Sequence, residues 1–182
     1  MSSKTDAKTI WLEEGLKTLA TKGPGALSIE KLARATGKTK GSFYHHFNSR
    51  EQYIEALLKY HENNTMDRII EITSKVADSH TRREKLLKVT FQEISGDLEL
   101  AIRAWALYDP MVRTFQYNLD RRRLDHIKEM HLGSGMTPDK AQLQSHRDYS
   151  LFIGLQQLRH HHNENEFRRI LKKLFFDNIL SH

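Results

Sequence analysis

The stretch SIEKLARATGKTKGSFYHHF, from Ser28 to Phe47, decides how this chain folds. Ile29, Leu32 and Ala33 fall on one face of a short helix over about 28–35. Phe43 and Phe47, four residues apart, fall on one face of a second over about 39–46. Only Thr36, Gly37 and Lys38 lie between them, and Gly37 supplies the positive φ of a tight turn. Two short helices crossing over a small shared core make a helix-turn-helix, with Ala33 small where they approach. Ser28 and Thr39 suit the N-caps of the two helices. Ser49 suits that of the next, and Gln52, three residues on, fits a capping box.

With the two phenylalanines turned inward, the opposite face carries Thr39, Lys40, Ser42, Tyr44 and His45. The major groove of DNA admits one α-helix and displays base edges to it, and this face is rich in donors and acceptors. Lys40 suits a phosphate or a guanine, Thr39 and Ser42 a phosphate, and Tyr44 and His45 phosphates on the flank. The helices that start at Ser28 and Ser49 offer free N–H groups to phosphate, with Arg50 beside the second. The plainer reading is an ordinary helical pair with a solvated face; three adjacent polar rings, Tyr44, His45 and His46, argue against it.

The rest of the chain reads as all-α, with about nine helices. Apolar residues recur at helical spacing: Ile10, Leu12, Leu16 and Leu19, then Ile54, Leu57, Leu58 and Ile69, then Leu86, Leu87 and Val89. Helix 1 spans about 5–22 and stops at Gly23, Pro24 and Gly25. Helix 4 runs from 49 to about 75. Later helices are read at about 81–95, 97–108, 110–131, 137–160 and 163–180, with Pro110 and Pro138 in first turns. Two domains are expected: 1–61, which carries the helix-turn-helix, and 62–182, a helical regulatory domain.

Composition narrows the function. The 182 residues carry a formal net charge of +6, mild but compatible with a polyanionic partner. The absence of cysteine excludes a disulfide scaffold and thiolate metal sites. No apolar run is long enough to span a membrane, and the N-terminus lacks a signal-peptide core, so a cytoplasmic protein without membrane partner is expected. No P-loop, Gly-x-Ser-x-Gly or His-Glu-x-x-His motif points to an enzyme, and no cofactor is expected. His160–His162 cannot all face one ion on a helix, and His126 and His131 are five apart, so no metal is expected. Arg121–Arg123 reads as a solvated face.

The segment from about Lys8 to Tyr60 resembles the N-terminal domain of the tetracycline-repressor (TetR) family of transcriptional regulators. The residues that carry the likeness are LATKGPGALSIEKLARATGKTKGSFYHHFNSREQYIEALL, above all KGSFYHHF followed by SRE. ELAIRAWALYDPMVRTFQYNLDRRRLDHI and DYSLFIGLQQL resemble the C-terminal domain of one TetR subgroup. Pro24-Gly25 departs from the family's frequent aromatic there, which alters the turn after helix 1. The resemblance implies a homodimeric repressor that reads a palindromic operator with helix 3 and is released by a small-molecule inducer. An activator, or a regulator without an inducer, is the other reading. By position, Thr39, Lys40, Ser42, Tyr44 and His45 would contact DNA, Ser28, Lys38 and Arg50 would hold phosphates, and Gly41 would let the backbone approach the duplex.

The resemblance also assigns the remaining two-thirds to dimerisation and ligand binding. On the last two helices Leu143, Ile153, Gly154, Leu158, Phe167, Leu171 and Leu174 would meet a second copy, or else complete the chain's own core. A pocket for a small apolar ligand would lie among Phe91, Trp105, Tyr108, Met111, Phe115, Tyr149 and Phe152, unless these are core. Arg103 and Asp109 are polar anchors there or a surface pair.

Overall fold

The computed structural model describes residues 6–93 and 96–176; for Ser79, His80, Phe91, Gln92, Glu93 and Phe176 it describes the backbone alone. Among the described residues there is no strand, and the chain forms nine helices. These are α1 Ala7–Lys22, α2 Ile29–Thr36 and α3 Lys40–His46; α4 runs Arg50–Glu62, through a π turn Asn63–Asp67, into Arg68–Ser74. Then come α5 Ser79–Glu93, α6 Gly96–Ala106, α7 Pro110–Gly133, α8 Pro138–Leu158 and α9 Glu164–Leu171. A 3-10 turn, Arg159–His161, follows α8, and a π turn, Lys172–Phe176, follows α9.

The punctuation acts as the residue types require. Gly23 ends α1, its N–H bonding the Leu19 carbonyl, and Pro24–Ala26 forms a 3-10 turn. Gly37 ends α2 at φ 66°, where its N–H and that of Lys38 both reach the Ala33 carbonyl. Asp109 caps α7 by accepting from Met111 and Val112 N–H at 3.0 and 3.2 Å, which gives it a helix-capping job in place of a pairing with Arg103. Asn163 and Glu166 form a complete capping box at α9.

The chain divides into two compact units. The first takes the described residues up to Asn64 together with Asp97–Asn118; the second takes Thr65–Gly96 and the described residues from Leu119. The sequence expectation was one cut near 61–62, with everything later in the second domain. Residues 97–118 return to the first unit because Leu98, Ile102, Trp105, Ala106 and Val112 complete its core with Trp11, Leu19, Phe43, Phe47, Tyr53 and Leu57. The second unit has its own core of Ile69, Leu87, Val89, Tyr149, Phe152, Leu155, Phe167, Leu171 and Phe175. Arg121–Arg123 is not uniformly solvated: Arg123 is buried, and Arg122 pairs with Asp67 at 2.8 Å.

The first unit is organised around rings. Phe43, fully buried, has the centroids of Trp11, Phe47 and Tyr53 at 5.3, 5.1 and 5.2 Å. The Tyr53 hydroxyl donates to the Trp11 carbonyl at 2.9 Å, and burial pushes its pKa up, so it stays protonated. Gly15, one turn from Trp11 on α1, makes room for that hydroxyl: a Cβ there would overlap Tyr53 Oη and press on Leu57. Gly15→Ala is expected to destabilise the protein by about 1–3 kcal/mol, the range of core overpacking. In a Tyr53→Phe background, which removes the overlapped oxygen, the same substitution costs less. Urea unfolding of the four proteins in this cycle checks it, and equal costs in both backgrounds would refute the Tyr53 contact as the cause.

Candidate nucleic-acid interface and ligand cavity

Serine or threonine hydroxyls start α2, α3 and α4. Ser28 accepts from Lys31 N–H at 3.3 Å, Thr39 from Ser42 N–H at 3.1 Å and Ser49 from Gln52 N–H at 3.1 Å. The Gln52 side chain accepts not from Ser49 but from Asn48 N–H, at 2.6 Å, so the expected capping box closes one residue early. These caps fix where α3 begins and hence which way its side chains face.

Phe43 and Phe47 point inward, 0% and 1% exposed. On the outer side Thr39, Lys40, Gly41, Tyr44 and His45 are exposed and Ser42 half-buried. Tyr44 leans its ring edge-on against Phe43, at 5.5 Å, and leaves its hydroxyl end outward. His46 is half-buried, its ring 5.0 Å from His45 and 6.2 Å from Phe47. Around this face stand Ser28 and Lys38, half-buried, and Arg50, exposed. A side chain at Gly41 would meet nothing closer than Thr39 Oγ1 at 3.6 Å, so nothing within the chain requires glycine there.

Two acids enter this region that the sequence reading did not weigh. Glu30 Oε1 lies 2.6 Å from Lys40 Nζ across the turn. That bond, and then its own backbone N–H, hold the Glu30 carboxyl below the usual range, and Glu30 in turn raises Lys40. Glu51 is likewise held low, by its own backbone N–H and then the Ser49 hydroxyl. The first turns of α2 and α4 therefore contain carboxylates at the groups that were expected to be open to phosphate. The first turn of α3 holds no acid.

The second unit carries a partly open cavity of about 70 Å³. Of the residues expected to line a pocket, Tyr149 and Phe152 do. Trp105 is in the core of the first unit, Met111 and Phe115 pack against that core, and Tyr108 is 85% exposed. Aromatic rings at helical spacing there serve packing. Phe91 lies outside the residues whose side chains are described. The lining that sequence reasoning missed is its polar part: Arg83, Thr90, Arg123, His126, His131 and Asp148. Each sits on a helix that also carries exposed charged residues, and no spacing rule separates it from them.

Of the residues expected at a dimer interface, Leu143, Leu158 and Leu174 are exposed at 74%, 49% and 37%. Ile153 and Gly154 are half-buried, and a Cβ at Gly154 would meet nothing within 4 Å. Phe167 and Leu171 are buried in the second unit's own core. Among the described residues no group of three His, Cys, Asp or Glu side chains could hold a metal, and no helix is long and apolar enough to cross a membrane.

A short helix anchored by buried rings, polar and cationic on its outer face and joined by a glycine turn to its support, defines a helix-turn-helix DNA-binding protein. Residues 12–57 match the tetR family of bacterial regulatory proteins. Over 129 residues the chain is 26% identical to the HTH-type transcriptional repressor KstR2 of Rhodococcus jostii (strain RHA1), covering 71% of this chain and 60% of that protein. The chain spans less than two thirds of the length of the curated relatives it matches. Its fold is shared by the reduced form of E. coli NemR, at TM-score 0.74 and 18% identity over 93% of this chain and 96% of that one. It is shared too by a candidate transcriptional regulator of Saccharomonospora viridis in complex with choline, at TM-score 0.75 and 17% identity over 92% and 94%. Residues 12–57 thus form a DNA-binding domain of the TetR type.

The caps give a direct check. Ser49→Ala should cost about 1 kcal/mol in urea unfolding, and Ser49→Asp, which can accept the same N–H, should restore most of it. Equal loss in both variants would show that the hydroxyl acts otherwise than as a cap.

Proposed function

We propose that this protein is a dimeric repressor that holds a palindromic operator with two copies of α3 and lets go when a small molecule fills the cavity of the second unit. The observation that carries the reading is the two-sided character of α3: Phe43 buried, Lys40, Tyr44 and His45 exposed on the opposite side. Thr39, Lys40, Ser42, Tyr44 and His45 would meet the major groove, Ser28, Lys38 and Arg50 the phosphates, and Gly41 the closest backbone approach. The name of the R. jostii relative, a repressor, favours repression over activation.

Two copies of α3 must sit about 34–36 Å apart to enter successive major grooves. α4 leads from the helix-turn-helix to Met66 and Ile69, which line the cavity. A ligand that bears on these two residues would shift α4 and with it the separation of the two recognition helices. Losing simultaneous docking removes the cooperative contribution of the second half-site.

Lys40 is paired with Glu30 at 2.6 Å, so the two residues test the site with opposite signs. Lys40→Ala and Tyr44→Ala should weaken binding to a DNA fragment selected from a randomised pool, with the melting temperature unchanged. Lys40→Ala should also flatten the salt dependence by about one ion, and Glu30→Gln should tighten binding. Fluorescence anisotropy across a salt series reads all three; unaltered affinity in Tyr44→Ala would mean that α3 is oriented otherwise.

Dimerisation would use the exposed Leu143, Leu158 and Leu174, with the half-buried Ile153 and Gly154 beside them. Leu143→Glu with Leu158→Glu should convert the protein to a folded monomer in sedimentation equilibrium and weaken DNA binding at least about tenfold. A variant that stays dimeric would place the interface elsewhere.

A further inference from the structure

The cavity joins an apolar wall to charged side chains, and the charged ones are spent on one another. Met66, Ile69, Leu87, Met130, Phe152 and Phe175 form the wall, each no more than 9% exposed. Asp148 meets Gln144 Nε2 at 2.8 Å, His131 Nε2 at 3.0 Å and Arg83 Nη2 at 3.4 Å. The buried Arg123 donates to the Tyr149 hydroxyl at 3.3 Å, and that hydroxyl donates to the Asp120 carboxylate at 2.6 Å. Each guanidinium on the lining therefore answers to a carboxylate, Arg83 directly and Arg123 through a phenol; Arg123 and Asp120 make further interactions as well. His126 Nε2 lies 3.1 Å from the Thr73 oxygen, whose own hydrogen goes to the Ile69 carbonyl at 2.8 Å, so the ring nitrogen is the donor. Burial, and then Arg82, hold this ring below its ordinary pKa, so it is neutral at pH 7.

A ligand with a net charge fits this balance badly. A carboxylate would reach Arg83 only in competition with Asp148, and a cation would reach Asp148 only in competition with the three donors already on it. Either exchange strips a partly buried charge of its partner, which is the costly arrangement in a protein interior. An uncharged molecule disturbs none of these bonds. Thr90 differs from its polar neighbours: it lines the cavity, carries no charge, and among the described residues nothing hydrogen-bonds its hydroxyl. It lies four and three residues beyond Leu86 and Leu87 on α5, and so on the helix face that those two apolar side chains give to the cavity. The volume, about 70 Å³, corresponds to roughly five or six water positions, enough for one ring or a short branched chain.

We propose that this cavity takes a small uncharged molecule, one apolar ring or branched chain bearing a hydroxyl, with that hydroxyl on Thr90 and the apolar body against Phe152, Met130 and Leu87. The charged lining residues are then scaffold rather than ligand contacts: Arg83 on α5, His131 on α7 and Asp148 on α8 tie three helices together around the space. The inference rests on the ligand-responsive reading above and narrows it to one ligand class and one anchoring residue.

The test uses the full chain and four probes of similar shape: 2-phenylethanol, ethylbenzene, phenylacetate and phenethylammonium. Calorimetry and thermal shift read binding, and release from DNA selected out of a randomised pool is read in the same samples. At pH 7 the alcohol should bind at least about tenfold more tightly than the anion or the cation. Thr90→Val, nearly the same shape without the hydroxyl, should weaken the alcohol about threefold to tenfold and leave ethylbenzene unchanged. Thr90→Ser, which keeps the hydroxyl, should retain the affinity for the alcohol. A charged probe that binds as tightly as the alcohol would overturn the proposal. So would a Thr90→Val that leaves the alcohol unaffected or weakens ethylbenzene equally, or no binding of either 2-phenylethanol or the smaller 3-methylbutanol. An alcohol that binds through Thr90 without releasing DNA would support the site and overturn the ligand-responsive reading. A charged probe that binds and releases DNA, where the alcohol does neither, would do the reverse.

Discussion

The recognition face exists because one ring is buried behind it. α3 has seven residues, far below the roughly 12–15 at which an isolated helix becomes even marginal in water. What holds it is Phe43, clasped by Trp11, Phe47 and Tyr53. These come from α1, from the turn after α3 and from α4, so fixing Phe43 fixes three elements together. The Tyr53 hydroxyl bond to the Trp11 carbonyl, 42 residues away in sequence, locks α4 to α1 around it. Tyr44 and Lys40 can then be presented to a ligand at little cost in side-chain and backbone ordering, since the helix that carries them is already rigid.

Much of this arrangement was legible. Gly37, the hydroxyl caps and the Phe43/Phe47 spacing each have one local meaning, and each has it in the structure. Trp11 was not placed in the apolar stripe of α1, although it is fully buried, because the reading followed aliphatic spacing alone. The reason for Gly15 lies in Tyr53, which no local pattern shows. The return of residues 97–118 to the first core was equally hidden, since an amphipathic helix declares that it has a partner and not which one. For the same reason aromatic content chose the wrong wall for a cavity: Trp105 fills a core, and the polar lining comes from charged residues on three separate helices.

The acids beside the recognition helix reveal a compromise between folding and binding. Glu30 and Glu51 sit in first turns, where a negative charge favours the helix through its unpaired N–H groups. Those are the groups a phosphate would use. Both carboxylates are held below their usual range, so they stay charged throughout the neutral region. A phosphate at α2 or α4 must compete with an anion already in place, which tempers non-specific attraction to DNA. Contacts from α3, whose first turn holds no acid, are free of that competition.

The second unit carries features that stability alone does not explain. A cavity of about 70 Å³ lined in part by Leu, Met and Phe leaves those side chains without packing partners on one side. Beside it, Arg123 is almost wholly buried, and a charged group in such a place costs desolvation that packed apolar residues would avoid. A ligand that fills this space recovers the first of these deficits. That recovery is free energy available only in the bound state. Any coupling to α4, through Met66 and Ile69, is limited by how far it differs between the DNA-bound and the released arrangement.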